Sequence, residues 1–200
     1  MARPRLAERE PYDREQVTRT ATRLFTERGY DGTSMAHIAG ALGIQKSSLY
    51  HHIAGKEQIL AGAVDAALDA LFAVLDEPEA GRGPAIARLE HVIARTVQIM
   101  VDRVDEVTLL LRVRGNSLTE QRALERRREF DRRVQRLVEM AVAEGDIRRD
   151  VDPALVTRLL FGMSNSVTEW YQPGGGMGGA EIAGHIRRIC FDGLSARDSD

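Results

Sequence analysis

Residues 33–56 (TSMAHIAGALGIQKSSLYHHIAGK) contain two short helical patterns separated by a glycine. In the first pattern, apolar residues recur at helical spacing until Gly43, a residue that readily takes the left-handed conformation of a helix end. The second pattern, over residues 45–52, directs Leu49 and then Ile53 inward and leaves polar side chains outward. This arrangement predicts either a helical hairpin within a core or a helix-turn-helix that reads DNA.

The charge of this stretch favours the second alternative. Lys46 and Lys56 are accompanied by no Asp or Glu, whereas the whole chain has a formal net charge of −2. Any contact with nucleic acid must therefore come from a local patch and not from a uniformly basic surface.

The rest of the chain also has helical spacing, and no strand-like alternation interrupts it. Cap and breaker signals divide it into about nine helices, with a Pro/Gly/Glu loop expected at residues 76–83. The predicted fold class is all-α: a three-helix helix-turn-helix domain followed by a helical bundle. Helix starts are expected at Asp13, which with Gln16 resembles a capping box, and at Lys56, Pro84, Ser117 (with Glu120 as its capping-box partner), Asp152 and Ala180.

Domain boundaries follow from the same pattern. We expect a DNA-binding domain over residues 12–71, with its helix-turn-helix motif at 34–53, and a second domain over 72–197. Residues 1–11 mix basic and acidic side chains with prolines, and two interpretations stay open: a mobile arm that enters a minor groove, or a solvated terminus.

Localisation is inferred from what the sequence lacks. Cys190 is the single cysteine, so an internal disulfide is impossible and a reducing cytoplasm is expected. No signal peptide opens the chain and no apolar run approaches the roughly 20 residues of a membrane span, so no contact with a membrane is expected.

Catalysis, cofactors and metals find little support. His51 and His52 are adjacent and point in different directions on a helix, and the remaining histidines lie in separate segments. Spacings typical of zinc sites or of nucleophilic catalysis are absent, so we expect neither an enzyme nor a metal centre. Residues 174–179 formally fit G-x-G-x-x-G, but no strand precedes them, so no dinucleotide cofactor is expected.

The segment ATRLFTERGYDGTSMAHIAGALGIQKSSLYHHIAGKEQIL resembles the DNA-binding domain of TetR-family transcriptional regulators. One departure is Ile53, where the family usually has Phe, a change expected to alter packing more than function. The resemblance implies a homodimer whose recognition helices read successive major grooves of a palindromic operator. It rests on Phe25, Gly29, Tyr30 and Thr33, on Ile38, Ala39, Leu42 and Gly43, on Leu49, Tyr50 and His52, and on Lys56, Glu57 and Leu60.

The resemblance also implies roles for individual residues. It places one group against bases or adjacent phosphates, and it places Tyr50, His52 and Lys56 mostly against the DNA backbone. We add Gln45 and His51 because they lie on the same exposed helix, and the predicted DNA-binding set also includes Thr33 and Ser34. The alternative for each is an ordinary surface side chain. The group facing bases consists of Lys46, Ser47, Ser48 and Tyr50.

The segment DVDPALVTRLLFGMSNSVTEWYQPGGGMGGAEI resembles C-terminal domains of family members that respond to CoA thioesters. The resemblance implies a repressor that a small hydrophobic effector releases from DNA, with an acyl-CoA thioester as the candidate effector. A multidrug-sensing efflux regulator and a helical enzyme or carrier are the alternatives. An apolar cavity is expected between helices, with wall candidates Met100, Leu110, Val113, Phe130, Val134, Met163, Asn165, Ser166, Trp170 and Tyr171.

Residues 122–136 contain seven arginines against three acids. In view of the resemblance, Arg126 and Arg133 become candidates for a clamp on the CoA phosphates, whereas surface ion pairs would make the same helix a solvated face. The resemblance also implies that the last two helices form the dimer interface, and we expect it on their apolar faces, which include Ile182, Ile186 and Ile189.

Overall fold

The computed structural model describes residues 13–193, and every regular element within them is helical, which confirms the predicted all-α class. The predicted arm at residues 1–11 and the end of the chain lie outside the described residues. The helices are α1 (Arg14–Arg28), α2 (Met35–Leu42), α3 (Lys46–His52), α4 (Lys56–Leu75), α5 (Pro78–Gly81), α6 (Ala85–Asp102), α7 (Val104–Arg112), α8 (Leu118–Glu144), α9 (Pro153–Trp170) and α10 (Gly179–Arg187), followed by a π-helical turn (Arg188–Asp192).

The chain packs as two compact units that divide between residues 60 and 61. The first contains α1 to α3 and the start of α4, and the second contains the remainder of α4 and all later helices. The functional boundary predicted at residue 71 also falls within α4, and it stays a prediction.

Ten α-helices are present in the described residues where about nine were expected. The additional helix, α5, lies in the predicted loop, where Pro78 occupies a first helical position and the Ala80 N–H donates to the Glu77 carbonyl at 3.0 Å. Pro84 caps α6 instead of opening it, since α6 begins at Ala85. Arg103 leaves helical geometry, with φ −131° and ψ 43°, and therefore separates α6 from α7.

The helix ends follow the predicted cap residues closely. Side-chain oxygens of Asp13, Ser117 and Asp152 accept hydrogen bonds from backbone N–H groups three residues later, at 2.7, 3.3 and 2.9 Å. Gly43 takes the left-handed conformation with φ 67°, as the glycine turn between α2 and α3 requires.

Glu120 fastens the turn between α7 and α8. Its carboxylate accepts the backbone N–H groups of Arg114, Gly115 and Asn116 at 2.7, 2.8 and 3.2 Å, and the residue is only 7% exposed. The carboxylate thus serves the preceding turn and not the N–H of Ser117 that a complete capping box would use. Burial raises the pKa of Glu120, but the three N–H donors lower it, and the net pKa is below its ordinary value.

Among the helices of residues 13–193, one, α4, is long and apolar enough to cross a membrane by length and composition alone. The expectation that no segment approaches such a span overlooked it. One face of α4 is buried within the protein, which is the ordinary position of a core helix. The buried side chains are Ile59, Leu60, Ala63, Val64, Ala67, Leu68, Leu71 and Val74.

We expect Glu120→Ala to destabilise the chain by about 2 kcal/mol at neutral pH, because three backbone N–H groups lose their acceptor. Since the pKa of Glu120 is lowered by folding, its contribution is present above the unfolded pKa and is lost as pH falls through the folded value. Urea unfolding at neutral pH and below about pH 4 measures the free energy of unfolding of Glu120→Ala, with Glu125→Ala, at an exposed position, as the control. Equal stability of the two variants at neutral pH would contradict the role given to Glu120.

Candidate nucleic-acid interface and ligand cavity

Helix α3 presents a polar face and anchors itself through its apolar side chains. Leu49 and the following Ile53 are buried, so the predicted inward face is confirmed. The side chain of His52 lies outside the described residues. The exposed residues of the predicted set here are Gln45, Lys46, Ser47, Ser48, Tyr50 and His51.

Lys46 and Tyr50 form a pair on this exposed face. The Lys46 Nζ lies 5.9 Å from the centre of the Tyr50 ring, as expected for residues one turn apart. An ammonium donor and a phenol hydroxyl are therefore presented side by side, next to two serine hydroxyls. Such a surface can donate to base edges and to phosphate oxygens.

The side chains of Thr33 and Ser34 form hydrogen bonds that stabilise the start of α2. Thr33 is 1% exposed, and its hydroxyl lies 2.8 Å from the Gly29 carbonyl and 3.3 Å from the Leu24 carbonyl. Its predicted contact with DNA does not fit this burial, so we retain Ser34 alone. Ser34 is exposed and forms a full capping box with His37: its Oγ accepts from the His37 N–H at 3.2 Å, and its N–H donates to His37 Nδ1 at 3.3 Å.

Lys56 joins the start of α4 to the turn between α1 and α2. Its Nζ donates to the carbonyls of Tyr30 at 3.0 Å and Thr33 at 3.4 Å, and it lies 4.3 Å from the centre of the Tyr30 ring. Because an ammonium has three N–H donors, these two carbonyls do not use all of them. Sequence reasoning missed this structural duty, although Lys56 and Tyr30 had both appeared in the resemblance.

A cavity of about 440 Å³ lies within the second unit and is lined by α4, α6, α7, α8 and α9. Its two halves differ in chemistry. The walls from α4 and α7, together with Met100 of α6, are apolar, whereas α8 and α9 contribute most of the polar groups. The apolar walls include Leu71, Met100, Val107, Leu110 and Leu111, and the polar walls include Arg127, Asp131, Arg132, Gln135, Arg158 and Asn165.

Four of the predicted wall residues line this cavity: Met100, Leu110, Phe130 and Asn165. The other eight candidates do not. Val113 and Val134 are buried elsewhere, and Tyr171 is partly exposed beyond the end of α9. The remaining five are Arg126, Arg133, Met163, Ser166 and Trp170, which lie at or near the surface of the chain.

The arginines of α8 divide between two environments. Arg126 forks across two carboxylates of α4, with Nη1 2.8 Å from Asp65 and Nη2 2.5 Å from Asp69. Arg132 and Arg133 both pair with Glu129. The two proposed clamp residues, Arg126 and Arg133, are therefore engaged in ion pairs outside the cavity.

The arginines that the cavity offers are different ones. Arg127 of α8 and Arg158 of α9 line it, and neither has an ion-pair partner within 4.0 Å among residues 13–193. Neighbouring helical residues point about 100° apart, so Arg126 and Arg127 face different surroundings. The sequence alone does not show which of the two faces the cavity.

Asp131 places a carboxyl group in the polar wall. Burial raises the pKa of Asp131, and the nearby guanidinium groups of Arg127 and Arg132 offset this only in part. The neutral acid is thereby favoured more than in water, which leaves the arginines of this wall less compensated.

The largest group of exposed apolar side chains in the described part of the second unit lies on α9. Ile182 and Ile186, named as interface residues, are 3% and 6% exposed because α10 packs them within its own chain. That part of the expectation is wrong, because the apolar pattern of α10 does not show whether its own chain or a partner covers that face. The exposed side chains on one face of α9 are Leu155, Leu159, Met163 and Trp170, and Ile189 is exposed beyond α10.

One group of candidate metal ligands occurs in the described residues, formed by Glu77, Glu79 and His91. His91 Nε2 lies 2.6 Å from Glu77 Oε2, and Arg95 Nε donates to both oxygens of Glu77 at 3.1 and 3.2 Å. Because a guanidinium already occupies the carboxylate, this group is better described as an ion-pair network.

Two family models match the chain. Residues 17–63 match the model for bacterial regulatory proteins of the tetR family, and this segment includes all of α2 and α3. Residues 82–194 match the model described as Tetracyclin repressor-like, C-terminal domain, and this segment includes α6 to α10.

The chain is similar along nearly its whole length to known repressors. The HTH-type transcriptional repressor KstR2 of Mycolicibacterium smegmatis is 28% identical, covering 94% of this chain and 93% of that protein. KstR2 of Rhodococcus jostii is 30% identical, covering 92% and 91%.

The fold is also similar to solved structures of transcriptional regulators. A member of the TetR transcriptional regulator family from Streptomyces coelicolor A3 is 53% identical, covers 90% of this chain and 91% of that chain, and has a TM-score of 0.85. The structure of AibR in complex with isovaleryl coenzyme A and operator DNA is 27% identical, covers 89% and 97%, and has a TM-score of 0.75.

We expect Leu159→Glu to weaken dimerisation at least about tenfold, because a carboxylate would be buried in an apolar interface on α9. Sedimentation velocity over a dilution series measures the change. Leu118→Glu is the matched control, since Leu118 is an exposed leucine on α8. A dimer that survives Leu159→Glu unchanged would place the interface elsewhere.

A second expectation concerns Asp131. The pKa of Asp131 is raised in the folded chain. The free energy of unfolding of the wild type is therefore highest below the unfolded pKa, and it falls as pH rises through the folded pKa. Asp131→Asn should therefore raise Tm by about 2–4 °C at pH 8, with a gain that disappears towards pH 4. Thermal unfolding across this range, with the exposed Asp146→Asn as control, tests it; a gain that is independent of pH would contradict it.

Proposed function

Because the chain belongs to the TetR family of bacterial transcriptional regulators, we propose that it represses transcription from a palindromic operator and that an acyl-CoA thioester releases it. The observation that carries the choice of effector is the cavity with one apolar and one arginine-bearing half. The chain is a DNA-binding regulator and not an enzyme. We place it in the cytoplasm, where operator DNA and CoA thioesters are both present.

The DNA contact is assigned to the exposed face of α3. Lys46 donates to guanine acceptors or phosphates, and Ser47 and Ser48 donate to or accept from several bases, so the operator sequence is not specified by these side chains. Tyr50 and the third N–H of Lys56 are assigned to the phosphate backbone, together with Ser34 at the start of α2. A dimer repeats this surface, so two half-sites related by two-fold symmetry are expected.

The chemistry of a CoA thioester matches the division of the cavity. An acyl group fits against the apolar walls of α4 and α7, and the amide groups of the pantetheine arm match Gln135 and Asn165. Arg127 and Arg158 are suited to phosphate, for which guanidinium is a preferred partner. The relative AibR has been crystallised with isovaleryl coenzyme A and operator DNA, which supports this class of effector.

The response requires an effector that prefers one conformation. An effector shifts the population only as far as it binds the non-operator state more tightly, and a shift from 99% to 1% bound needs a preference of about 10⁴-fold. We assign the link between the cavity and the DNA-binding unit to α4, which is continuous through both units. Leu71 of α4 lines the cavity, and Lys56, at the start of the same helix, donates to the turn before α2.

A cationic drug is a poorer fit than an anionic thioester. Arg127, Arg132 and Arg158 all line the cavity, and a cationic ligand would meet them with like charge. We therefore favour the CoA-responsive function over that of a multidrug-sensing efflux regulator.

Fluorescence anisotropy with duplex DNA from upstream of the gene tests the DNA contact. Lys46→Ala should weaken binding about tenfold and reduce the slope of log affinity against log salt by about one, because one phosphate or base contact is lost. Arg149→Ala removes the same charge from an exposed position in the second unit and should change neither quantity. If Lys46→Ala and Tyr50→Phe both bind like the wild type, the assigned surface is wrong.

The same assay tests the effector. Octanoyl-CoA should release the DNA at concentrations where free octanoate and CoA alone do not. The double variant Arg127→Ala/Arg158→Ala should need at least about tenfold more thioester, since two phosphate partners are lost. Failure of both thioesters and free acids to release the DNA would overturn the proposed effector.

A further inference from the structure

Thr96 places a hydroxyl group in the middle of α6, where the described residues offer it no hydrogen-bond partner. The residue is 1% exposed, and the side chains one turn away on either side, Val92 and Met100, are buried and apolar. A hydroxyl in such surroundings is unfavourable unless something binds it, and valine would fill the same space without that disadvantage.

Three other threonines in the helices of this chain have a partner for the hydroxyl. Thr18, Thr22 and Thr157 each donate the hydroxyl to the carbonyl four residues earlier, at 2.8 to 2.9 Å. Thr96 makes no such bond, so its hydroxyl is not satisfied by its own helix. Buried polar groups without partners are uncommon and call for a specific explanation.

The position of Thr96 in the cavity supplies that explanation. Among the lining residues from α4, α6 and α7, Thr96 is the polar one, and its companions there are Leu71, Met100, Val107, Leu110 and Leu111. The cationic lining groups are all on α8 and α9. A carboxylate on the α6 side would therefore be desolvated without a counter-charge, whereas a neutral oxygen needs only one hydrogen bond.

We propose that the effector's acyl group carries a hydroxyl or keto oxygen, and that the Thr96 hydroxyl binds this oxygen and selects for it. This inference rests on the proposed function, since it assumes a CoA thioester in the cavity. The apolar walls then hold the hydrocarbon part of the acyl group. A site built around a hydrogen bond discriminates against an analogue that lacks the bonding group, because the protein's own polar atom is left unpaired.

Isothermal titration calorimetry with matched thioesters tests the selection. The probes are octanoyl-CoA and octanoyl-CoAs that bear a hydroxyl or keto group at successive carbons. The wild type should bind the best oxygenated probe at least about fivefold more tightly than octanoyl-CoA. Thr96→Val should remove this preference, and Thr96→Ser should keep it. Thr22→Val, which alters a buried threonine of the first unit, is the matched control and should keep it too.

Thermal unfolding without any thioester gives an independent measurement. Thr96→Val should raise Tm, because an unpaired buried hydroxyl is removed, whereas Thr22→Val should lower it, because a bonded hydroxyl is lost. A lower Tm for Thr96→Val would overturn the inference, since the hydroxyl would then have a partner within the chain.

The outcomes separate the two proposals. If plain and oxygenated thioesters bind equally, or if Thr96→Val keeps the preference, the inference about Thr96 is overturned and the proposed effector class stands. If no thioester binds the wild type, the proposed effector is overturned and the inference falls with it.

Discussion

The ammonium group of Lys56 is the contact on which the geometry of the first unit depends. It donates to two carbonyls of the turn between α1 and α2, and it lies against the Tyr30 ring, which makes a T-shaped contact with Phe25 of α1. The buried Thr33 hydroxyl fastens the same turn to the end of α1. The start of α4, the end of α1 and the approach to α2 are thus tied together by polar contacts, and the outward face of α3 depends on that frame.

Aromatic contacts connect the cavity of the second unit to α4. Phe130 lines the cavity and makes a T-shaped contact with Phe72 of α4, with ring centres 5.8 Å apart, and it also packs against Phe161 of α9. Arg126 and Arg133 lie over the Phe72 ring at 5.6 and 5.3 Å, so the α4 side of this cluster is covered by guanidinium groups. A movement of Phe130 in the cavity wall would therefore act directly on α4, the helix that both units share.

Much of this could be predicted from local signals. Helical spacing, the caps at Asp13, Ser117 and Asp152, and the left-handed turn at Gly43 depend on a few neighbouring residues, and these agree with the structure. The exposed polar face of α3 follows from the same spacing.

Contacts between distant segments could not be predicted in this way. Thr33 was wrongly assigned to DNA. Its side chain is buried against a carbonyl of α1, and local spacing around Thr33 could not show that contact. The apolar faces of the last helices also have similar composition, so spacing alone could not show which is covered within one chain and which is left for the partner. The arginines of α8 present the same difficulty, because only the fold shows which of them face α4 and which face the cavity.

The uncovered face of α9 has a consequence for the protein as a population of molecules. In a chain that dimerises, burial of Leu155, Leu159 and Trp170 in the partner adds to the stability of each copy, and the law of mass action links that gain to protein concentration. Dilution therefore lowers the melting temperature as well as the fraction of dimers. The number of copies in a cell therefore affects both how much operator is occupied and what fraction of the chains is folded.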